Sequence, residues 1–251
     1  MYKGNNMEII DTYWEERNLG VKSYEVILSQ EDTMEDYIVQ EKRLIENGAK
    51  FIVVKSPVNV SEFIFGLPSE GYLFIETAFS LVLKKNNFKC PTYIARRDND
   101  FEIRKLETPD MIQRVYDEIA KGIFNSDRIA LDKHFTQHIA NNRYINWIKD
   151  LIDQGNDIYE IYYNGDPVGF FVLKRIDDKK IMGILTGTYE KYITSGFGAV
   201  VIKKLCDTVW TLGCTFFHVT VVSNNLKALR TNLLFGFEIE DISYHYVKHL
   251  R

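Results

Sequence analysis

The 251-residue sequence predicts an α/β (α+β) fold, with a mixed central sheet flanked by helices and a smaller N-terminal α/β domain. In the first half, short apolar segments such as 51–54 alternate with stretches of helical spacing such as 34–45. In the second half, three strand-like segments follow one another across tight turns, which indicates antiparallel hairpins. A sheet with both parallel and antiparallel neighbours, covered by helices, accommodates both patterns.

Composition and charge narrow the functional classes. Hydrophobic residues make up 45% and charged residues 26%, a balance typical of a globular protein rather than a disordered chain. Lys and Arg number 31 against 35 Asp and Glu, so the net charge of −4 argues against nucleic acid as a partner. No apolar run is long enough to span a membrane, and residues 1–7 lack the apolar centre of a signal peptide. We therefore expect a cytoplasmic protein without a membrane partner.

The cysteines and histidines predict no metal site. Cys90, Cys206 and Cys214 match no metal-binding spacing, and we expect reduced cysteines that pack in the interior. One disulfide or a reactive thiol is the alternative. His134 and His138 could share a helix face, but they lack the intervening glutamate of the zinc-binding His-Glu-x-x-His pattern, and no third ligand is evident.

Residues 1–97 predict the small N-terminal domain. Its elements are a strand at 24–29, a helix over 34–45, a strand at 51–54, a short helix opening at 59–62 and a strand from 72 toward 83. Gly48 is a natural end for the first helix. The polar stretch 88–100 connects the two halves and places the boundary between residues 97 and 98. This half contains no recognisable catalytic set.

Residues 98–251 predict the second domain. Its elements are a strand at 101–106, a helix that begins at Thr108-Pro109-Asp110, a helix over 144–152, strands at 158–163, 167–174 and 181–188, a helix after 196–198, a strand at 215–222, a helix after Asn225 and a strand at 238–247. Thr108 caps a helix whose first position is proline. Asn164-Gly165 accepts the positive φ of a hairpin turn.

A glycine turn, Gly196-Phe197-Gly198, joins a strand to the long helix and could bind an anion. Backbone N–H groups and the positive end of the helix dipole would stabilise a phosphate there, and the alternative is a purely structural turn. A dinucleotide-binding loop is disfavoured because Val201 stands where the third glycine belongs. A P-loop is excluded because no Gly-Lys-Ser or Gly-Lys-Thr follows.

The order of these elements, with Asn225-Leu226-Lys227-Ala228 and then Gly236-Phe237, resembles the GNAT acyltransferase superfamily over about residues 101–251. That family shows Arg/Gln-x-x-Gly-x-Gly/Ala at the acetyl-CoA pyrophosphate. This chain has Ile193 in the first position of that motif, so backbone N–H groups would have to bind the pyrophosphate. The resemblance implies acetyl-CoA as co-substrate. It implies that the pyrophosphate is bound by the residues of the turn, Thr194, Ser195, Gly196, Phe197, Gly198 and Ala199. It also implies that the pantetheine arm contacts Leu185, Thr186 and Asn225, although Asn225 could serve as a plain helix cap.

The catalytic groups depart from the family pattern. Asn232 stands where the family has a Tyr that protonates the departing thiolate, and Asn can donate a hydrogen bond but is no acid at neutral pH. The acid is then water or another group, with Tyr244 and Tyr246 as candidates unless they simply pack in their strand. No Glu lies on the strand at 181–188. Glu190, just beyond it, is the candidate base, or a relayed water removes the proton.

A narrower resemblance covers 122–132 and 144–147, which are similar to the acceptor side of bacterial dTDP-fucosamine acetyltransferases, enzymes that also carry an extra N-terminal α/β domain. It implies a nucleotide-linked amino sugar as the acceptor, acetylated on its amino group. Arg128 would pair with the diphosphate, and Asp127 or Asp132 would orient a hydroxyl or the amine. The alternative for these three residues is a solvated charged loop.

Three functions remain open. The first is N-acetylation of such a sugar, the second is a GNAT enzyme for another small amine or a protein N-terminus, and the third is a catalytically silent acyl-CoA-binding protein, which Ile193 and Asn232 favour. We interpret Arg143 as a helix-surface charge without a role, and Trp147 and Trp210 as core residues. An exposed edge on the last strand would permit a homodimer.

Overall fold

The computed structural model describes residues 7–250, and its ten strands in that range form one sheet. The strands are β1 (Glu8–Asp11), β2 (Ser23–Ile27), β3 (Phe51–Pro57), β4 (Leu73–Lys84), β5 (Phe101–Lys105), β6 (Asp157–Tyr163), β7 (Asp166–Arg175), β8 (Lys180–Thr188), β9 (Phe216–Val222) and β10 (Glu238–His249). Residues 1–6, which make up most of the N-terminal segment that lacks the apolar centre of a signal peptide, lie outside the described range.

Helices flank this sheet, which confirms the predicted fold class. They are α1 (Tyr13–Leu19), α2 (Met34–Glu46), α3 (Ser61–Ser69), α4 (Thr92–Ala95), α5 (Pro109–Ala120), α6 (Arg128–Leu131), α7 (Gln137–Asp153), α8 (Phe197–Thr211) and α9 (Leu226–Leu234), with short 3-10 turns at Lys85–Asn87, Asp98–Asp100 and Glu190–Tyr192. None of the helices described between residues 7 and 250 has both the length and the apolar character needed to cross a membrane.

The strand order is β1-β2-β3-β10-β4-β9-β8-β7-β6-β5. Neighbours are antiparallel except for β2–β3 and β8–β9, which are parallel. The last strand therefore lies between two strands of the N-terminal segment, and the sheet is continuous across residues 97 and 98, so the proposed domain boundary there stays a prediction. The expectation of an exposed edge on β10 is wrong, because β3 and β4 pair with its two edges.

Two sets of helices cover opposite faces of the sheet. On one face, α2 and α3 pack on β2 and β3 through Tyr37 and Leu67, and α8 packs on β7 and β8 through Val201 and Leu205. On the other face, α5 and α7 cover β6 and β7, and α1, α6 and the start of α7 cover β3. Burial of these apolar side chains on both faces is the main stabilising contribution of the sheet.

Local signals set several boundaries as predicted. Thr108 Oγ1 accepts a hydrogen bond from the Met111 amide (3.4 Å), and Asn225 Oδ1 accepts one from the Ala228 amide (3.1 Å). Asn164 and Gly165 take φ values of 50° and 85° in the turn between β6 and β7. The two caps satisfy backbone N–H groups that would otherwise lack a partner. Asn164 and Gly165 accept the left-handed backbone conformation that the turn requires.

The structure also contains elements that the sequence did not predict. β1 and α1 precede the first predicted strand, and α6 lies within a segment interpreted as a loop. Helix α1 has no apolar stripe, because its buried positions are Glu15 and Leu19 while Tyr13 is 75% exposed. A short helix that buries a carboxylate gives no periodic hydrophobic signal.

Candidate active site

A gap in the sheet forms the centre of the candidate site. β8 and β9 pair only over Lys180–Gly183 and Phe216–Val219. Beyond Gly183, β8 continues along β7 and β9 continues along β4, so the two strands separate. Ile184 is the extra residue of a bulge in the β7–β8 ladder, which bends β8 at this point. A cleft of about 610 Å³ opens where the strands part.

The cleft reaches both faces of the sheet. On the α8 and α9 face it is lined by Ile202, Ala228 and Asn232. On the opposite face it is lined by residues of α1 and α7, by the segment 124–128, and by charged side chains of the N-terminal strands. An acyl donor and an acceptor could therefore approach from opposite faces and meet in the gap between β8 and β9.

Three of the predicted cofactor-binding residues line the cleft: Leu185, Thr186 and Asn225. The remaining six, Thr194, Ser195, Gly196, Phe197, Gly198 and Ala199, form the entry to α8 and are not part of the cleft wall. Gly196 has φ +78° immediately before the helix, which requires glycine. Ser195 Oγ accepts a hydrogen bond from the Phe197 amide (3.1 Å) and donates one to the Tyr192 carbonyl (2.6 Å), so this hydroxyl stabilises the turn itself.

Asn232 is 3% exposed and lines the cleft on the α9 side. Its Nδ2 donates a hydrogen bond to the Ala228 carbonyl (2.9 Å), which fixes the amide orientation. Its buried Oδ1 has no hydrogen-bond partner within residues 7–250. The unsatisfied atom is therefore an acceptor, whereas the sequence predicts a donor to the thiolate at this position.

The other two predicted catalytic residues lie away from Asn232 and outside the cleft wall. Tyr244 packs edge-on against Phe74 on the face covered by α2 and α3. Glu190 is exposed on a 3-10 turn, and its backbone amide donates a hydrogen bond to the Glu118 carboxylate (2.9 Å). The structure does not bring these three residues together.

Two of the three predicted acceptor-side residues line the cleft. Asp127 caps α6 by accepting a hydrogen bond from the Ala130 amide (3.0 Å). Arg128 lies between two carboxylates, with Nη2 3.4 Å from Glu25 Oε2 and Nη1 4.0 Å from Glu76 Oε1. The solvated charged loop that was the alternative is not what forms here, since the Arg128 side chain is only 19% exposed.

The third, Asp132, is absent from the cleft wall and holds two histidines. It accepts hydrogen bonds from His134 Nδ1 (3.0 Å) and His249 Nε2 (2.7 Å), and the two imidazoles stack with centroids 3.8 Å apart. Among residues 7–250 this is the one group of three side chains whose ligand atoms lie close enough to hold a metal. Hydrogen bonds within the group account for the arrangement, so the expectation of no metal site stays a prediction.

Arg143 is not a surface charge, and that interpretation is wrong. Its guanidinium is 13% exposed and lies between Glu15 (2.6 Å) and Asp127 (3.3 Å). Burial would lower the pKa of Arg143, but the two carboxylates raise it above its ordinary value. The missed helix α1 supplies Glu15, and without that helix the sequence offers no reason to bury this arginine.

A row of charged side chains on the N-terminal strands was also missed. Glu25, Lys55, His245 and Glu76 lie on adjacent strands of the sheet and all line the cleft. Lys55 Nζ donates a hydrogen bond to Glu25 Oε1 (2.6 Å), and His245 Nδ1 lies 3.0 Å from Glu76 Oε1. The available signal was a charged residue inside each apolar strand segment, but nothing local indicated that the strands carrying them are neighbours.

These neighbours shift the pKa values within the row. Burial would raise the pKa of Glu25, but Arg128 and Lys55 hold it below its ordinary value. Burial lowers the pKa of Lys55 despite the adjacent Glu25 carboxylate. Burial also lowers the pKa of His245, with Glu76 opposing and Arg128 and Lys55 reinforcing the shift. Perturbed groups gathered in a cleft are a physical indication of a functional site.

Comparison with known proteins agrees with this geometry. Residues 121–237 match the model of the acetyltransferase (GNAT) family. The chain is similar to a functionally unknown conserved protein from Staphylococcus epidermidis, with 17% identity and a TM-score of 0.61 over 92% of this chain and 85% of that one. It is also similar to a GCN5-related N-acetyltransferase from Sphaerobacter thermophilus, with 10% identity and a TM-score of 0.63 over 98% and 76%.

A third similar structure is the glucosamine N-acetyltransferase region of a fungal multi-domain GH3 β-N-acetylglucosaminidase. Here the identity is 11% and the TM-score 0.66, over 96% of this chain and 31% of the fungal one. No curated protein matches the sequence. At these identities the solved structures establish a shared fold, and the substrates of the similar proteins are their own.

Proposed function

We propose that this chain, whose residues 121–237 match the model of the acetyltransferase (GNAT) family, transfers the acetyl group of acetyl-CoA to the primary amine of a small polar acceptor. The observation that carries the proposal is the separation of β8 from β9 beyond Gly183, which opens a cleft through the sheet. Acetyl-CoA is the co-substrate that this family uses, and the sheet offers it an opening bordered by free strand edges.

The chemistry needs few groups from the protein. The amine must lose a proton, the thioester carbonyl needs a donor for its developing negative charge, and the two substrates must be held together. Backbone N–H groups of residues 184–186, on the edge of β8 that no longer pairs with β9, suit the carbonyl. The turn at 194–199 and the start of α8 suit the pyrophosphate, and Asn225 suits the pantetheine arm.

The charge of the cleft supports an amine acceptor. The carboxylates that line it are Glu15, Glu25, Glu76, Asp127 and Asp150, against the cations Arg17, Lys55, Arg128 and Arg143. With His245 neutral this excess of one carboxylate favours a cationic ligand. Each of the four cations already has a carboxylate partner. A protonated amine therefore fits the cleft better than an anion does.

The more specific acceptor that we propose is an amino sugar linked to a nucleotide. It is supported by the resemblance at 122–132 and 144–147, and by the fungal glucosamine N-acetyltransferase region with a similar fold. Trp14 and Trp147 line the cleft and offer flat apolar surfaces to a sugar or a base. A diphosphate would bind only if Arg128 or Arg17 left its carboxylate partner, so a free amino sugar is the competing acceptor.

A catalytically silent acyl-CoA-binding protein is the second candidate. Asn232 favours it, because Asn232 cannot act as an acid and its amide nitrogen already donates to Ala228. A thiolate is a good leaving group near neutral pH and can take its proton from water. The loss of one acid is therefore weaker evidence against turnover than the open cleft is for it.

Ligand binding and turnover test the proposal in one series. We expect the melting temperature to rise with acetyl-CoA, because a ligand that binds only the folded state stabilises it. We then expect thiol release with glucosamine or dTDP-4-amino-4,6-dideoxygalactose, and little with a tripeptide. Binding without transfer to any of these amines would support the silent protein. No thermal shift at about millimolar acetyl-CoA would contradict the proposed function.

A further inference from the structure

We propose that Glu76, positioned by His245 and Arg128, binds the amino group of the acceptor in the cleft and removes its proton before the amine attacks the thioester. This inference rests on the proposed acetyl transfer. It assigns the acceptor subsite to strands β2, β3, β4 and β10, most of which belong to the N-terminal segment. The catalytic base would then lie on β4, far along the chain from the GNAT-family match at 121–237.

The position of Glu76 follows from strand register. Lys55 pairs with His245, and His245 pairs with Glu76, across β3, β10 and β4. Residues directly opposite each other on antiparallel strands point to the same face. That face is the one covered by α1, α6 and α7, so the row forms the floor of the cleft opposite α8 and α9.

Glu76 differs from Glu25, the other carboxylate of the row, in having an unsatisfied oxygen. Both oxygens of Glu25 have partners, Lys55 at 2.6 Å and Arg128 at 3.4 Å. Glu76 is 1% exposed, and its Oε2 is buried without a hydrogen-bond partner among the residues described. A buried carboxylate oxygen without a donor costs free energy, and an ammonium group entering the cleft supplies that donor.

The neighbours of Glu76 occupy its other oxygen and leave Oε2 available. Because a carboxylate only accepts, His245 Nδ1 donates to Glu76 Oε1, and His245 Nε2 accepts a hydrogen bond from Ser243 Oγ (3.1 Å). The cation nearest to Glu76, Arg128, pairs with Oε1 at 4.0 Å rather than with Oε2. His245 stays neutral at neutral pH because burial lowers its pKa. His245 is thus a positioning residue.

The proton balance of the step is simple. The ammonium nitrogen gives one proton to Glu76, and the free amine forms a C–N bond to the acetyl carbon. The C–S bond breaks, the thiolate leaves, and the nitrogen's surplus proton goes to the sulfur, directly or through water. Glu76 then releases its proton to solvent. The acceptor ammonium and acetyl-CoA become an amide, CoA and one proton.

The experiment uses the whole 251-residue chain and whichever of glucosamine, dTDP-4-amino-4,6-dideoxygalactose or a tripeptide gives the highest rate. Glu76→Gln should lower kcat/KM at neutral pH by about 100-fold or more, while the thermal shift with acetyl-CoA is retained. The variant's rate should then rise tenfold per pH unit up to the pKa of the amine, because only the free amine reacts. The unmodified enzyme should be nearly independent of pH over the same range.

Glu41→Gln is the matched control. Glu41 is 4% exposed and bonded to Tyr72 and Lys248, but it lies on α2, on the other face of the sheet and outside the cleft wall. This variant should keep the activity and pH profile of the unmodified enzyme. His245→Asn should give a smaller loss than Glu76→Gln, since the carboxylate remains.

The outcomes separate this inference from the proposed function. If the unmodified enzyme is active and the Glu76→Gln variant is equally active, the role of Glu76 is overturned and the proposed function stands. If Glu76→Gln does not fold, the unmodified enzyme still decides, because a rate that already rises tenfold per pH unit excludes a base in the site. If the enzyme transfers the acetyl group to none of these amines, the proposed function is wrong, and this inference is wrong with it.

Discussion

Gly236 holds the turn between α9 and β10 in a conformation that no other residue accepts without cost. Its φ is +94°, and a Cβ at this position would lie 2.3 Å from the Asn87 carbonyl oxygen. Gly236→Ala should therefore lower the free energy of unfolding by about 2–5 kcal/mol, from the left-handed backbone and the clash together. Urea denaturation measures the change.

Gly48 provides the comparison for Gly236. Its φ is +86°, but a Cβ there would meet no atom of residues 7–250 within 4 Å. Gly48→Ala should lower the free energy of unfolding by about 1–2 kcal/mol, from the left-handed backbone alone. Equal losses in the two variants would mean that the backbone at 236 or at Asn87 moves aside and that the close approach contributes nothing.

Residues that line the cleft were predictable where a local motif or a family resemblance marked them. Asp127, Arg128, Asn225 and Asn232 were all singled out in this way, and all four line the cleft. The charged row at positions 25, 55, 76 and 245 escaped notice because its members meet only through the strand order β2-β3-β10-β4. No pattern within a few residues of any of them carries that order.

At the scale of single elements, α8 offers a test of the pyrophosphate site. Among the described residues, a Cβ at Gly198 would meet only Thr188 Oγ1, at 3.6 Å, which is an ordinary van der Waals contact. Gly198→Asp should leave the protein folded and abolish the thermal shift with acetyl-CoA, through bulk and like charge. Gly198→Asn has the same size without the charge and should retain weak binding. Unchanged binding in both variants would exclude this turn as the pyrophosphate site.

A helix or strand was predictable from the sequence where its apolar residues recur periodically and where a capping or turn residue marks its end. The start of α5, capped by Thr108, and the hairpin at Asn164-Gly165 were predicted almost to the residue. α1 and α6 were not, because α1 buries Glu15 instead of an apolar stripe and α6 is a single turn over 128–131. Both depend on ion pairs with distant residues, which exist only once the fold has formed.

At the scale of the whole molecule, buried His245 should make stability depend on pH. Burial lowers its pKa from the ordinary value of 6.5, with Arg128 and Lys55 reinforcing and Glu76 opposing the shift. As the pH falls below 6.5, the unfolded chain binds a proton at this imidazole while the folded protein does not. Stability is therefore fully present above that pH and decreases below it.

Urea unfolding at about pH 7.5 and about pH 5.5 measures this effect. The unmodified protein should lose stability between the two values, and His245→Asn should lose less, whatever its stability at the higher pH. The other groups that face His245 are Glu76, Arg128, Lys55 and Ser243, and all are present in both proteins. An identical loss in the variant would show that other groups cause the pH dependence.

The continuous sheet predicts that the whole chain unfolds in one step. β10 pairs with β3 from Ser243 to His249 and with β4 from Glu238 to Val247, so it contributes to the packing of both segments. Removal of residues 1–97 would leave both edges of β10 unpaired and its apolar faces exposed.

Calorimetry should therefore give a single transition whose van't Hoff and calorimetric enthalpies agree, and the fragment 98–251 should not fold alone. Two separate transitions, or a folded fragment that binds acetyl-CoA, would instead support a domain boundary near residue 97. If the single transition is found, the proposed acceptor side of the cleft cannot be detached from the proposed acetyl-CoA side, because β10, which carries His245, pairs with β3 and β4 of the N-terminal segment.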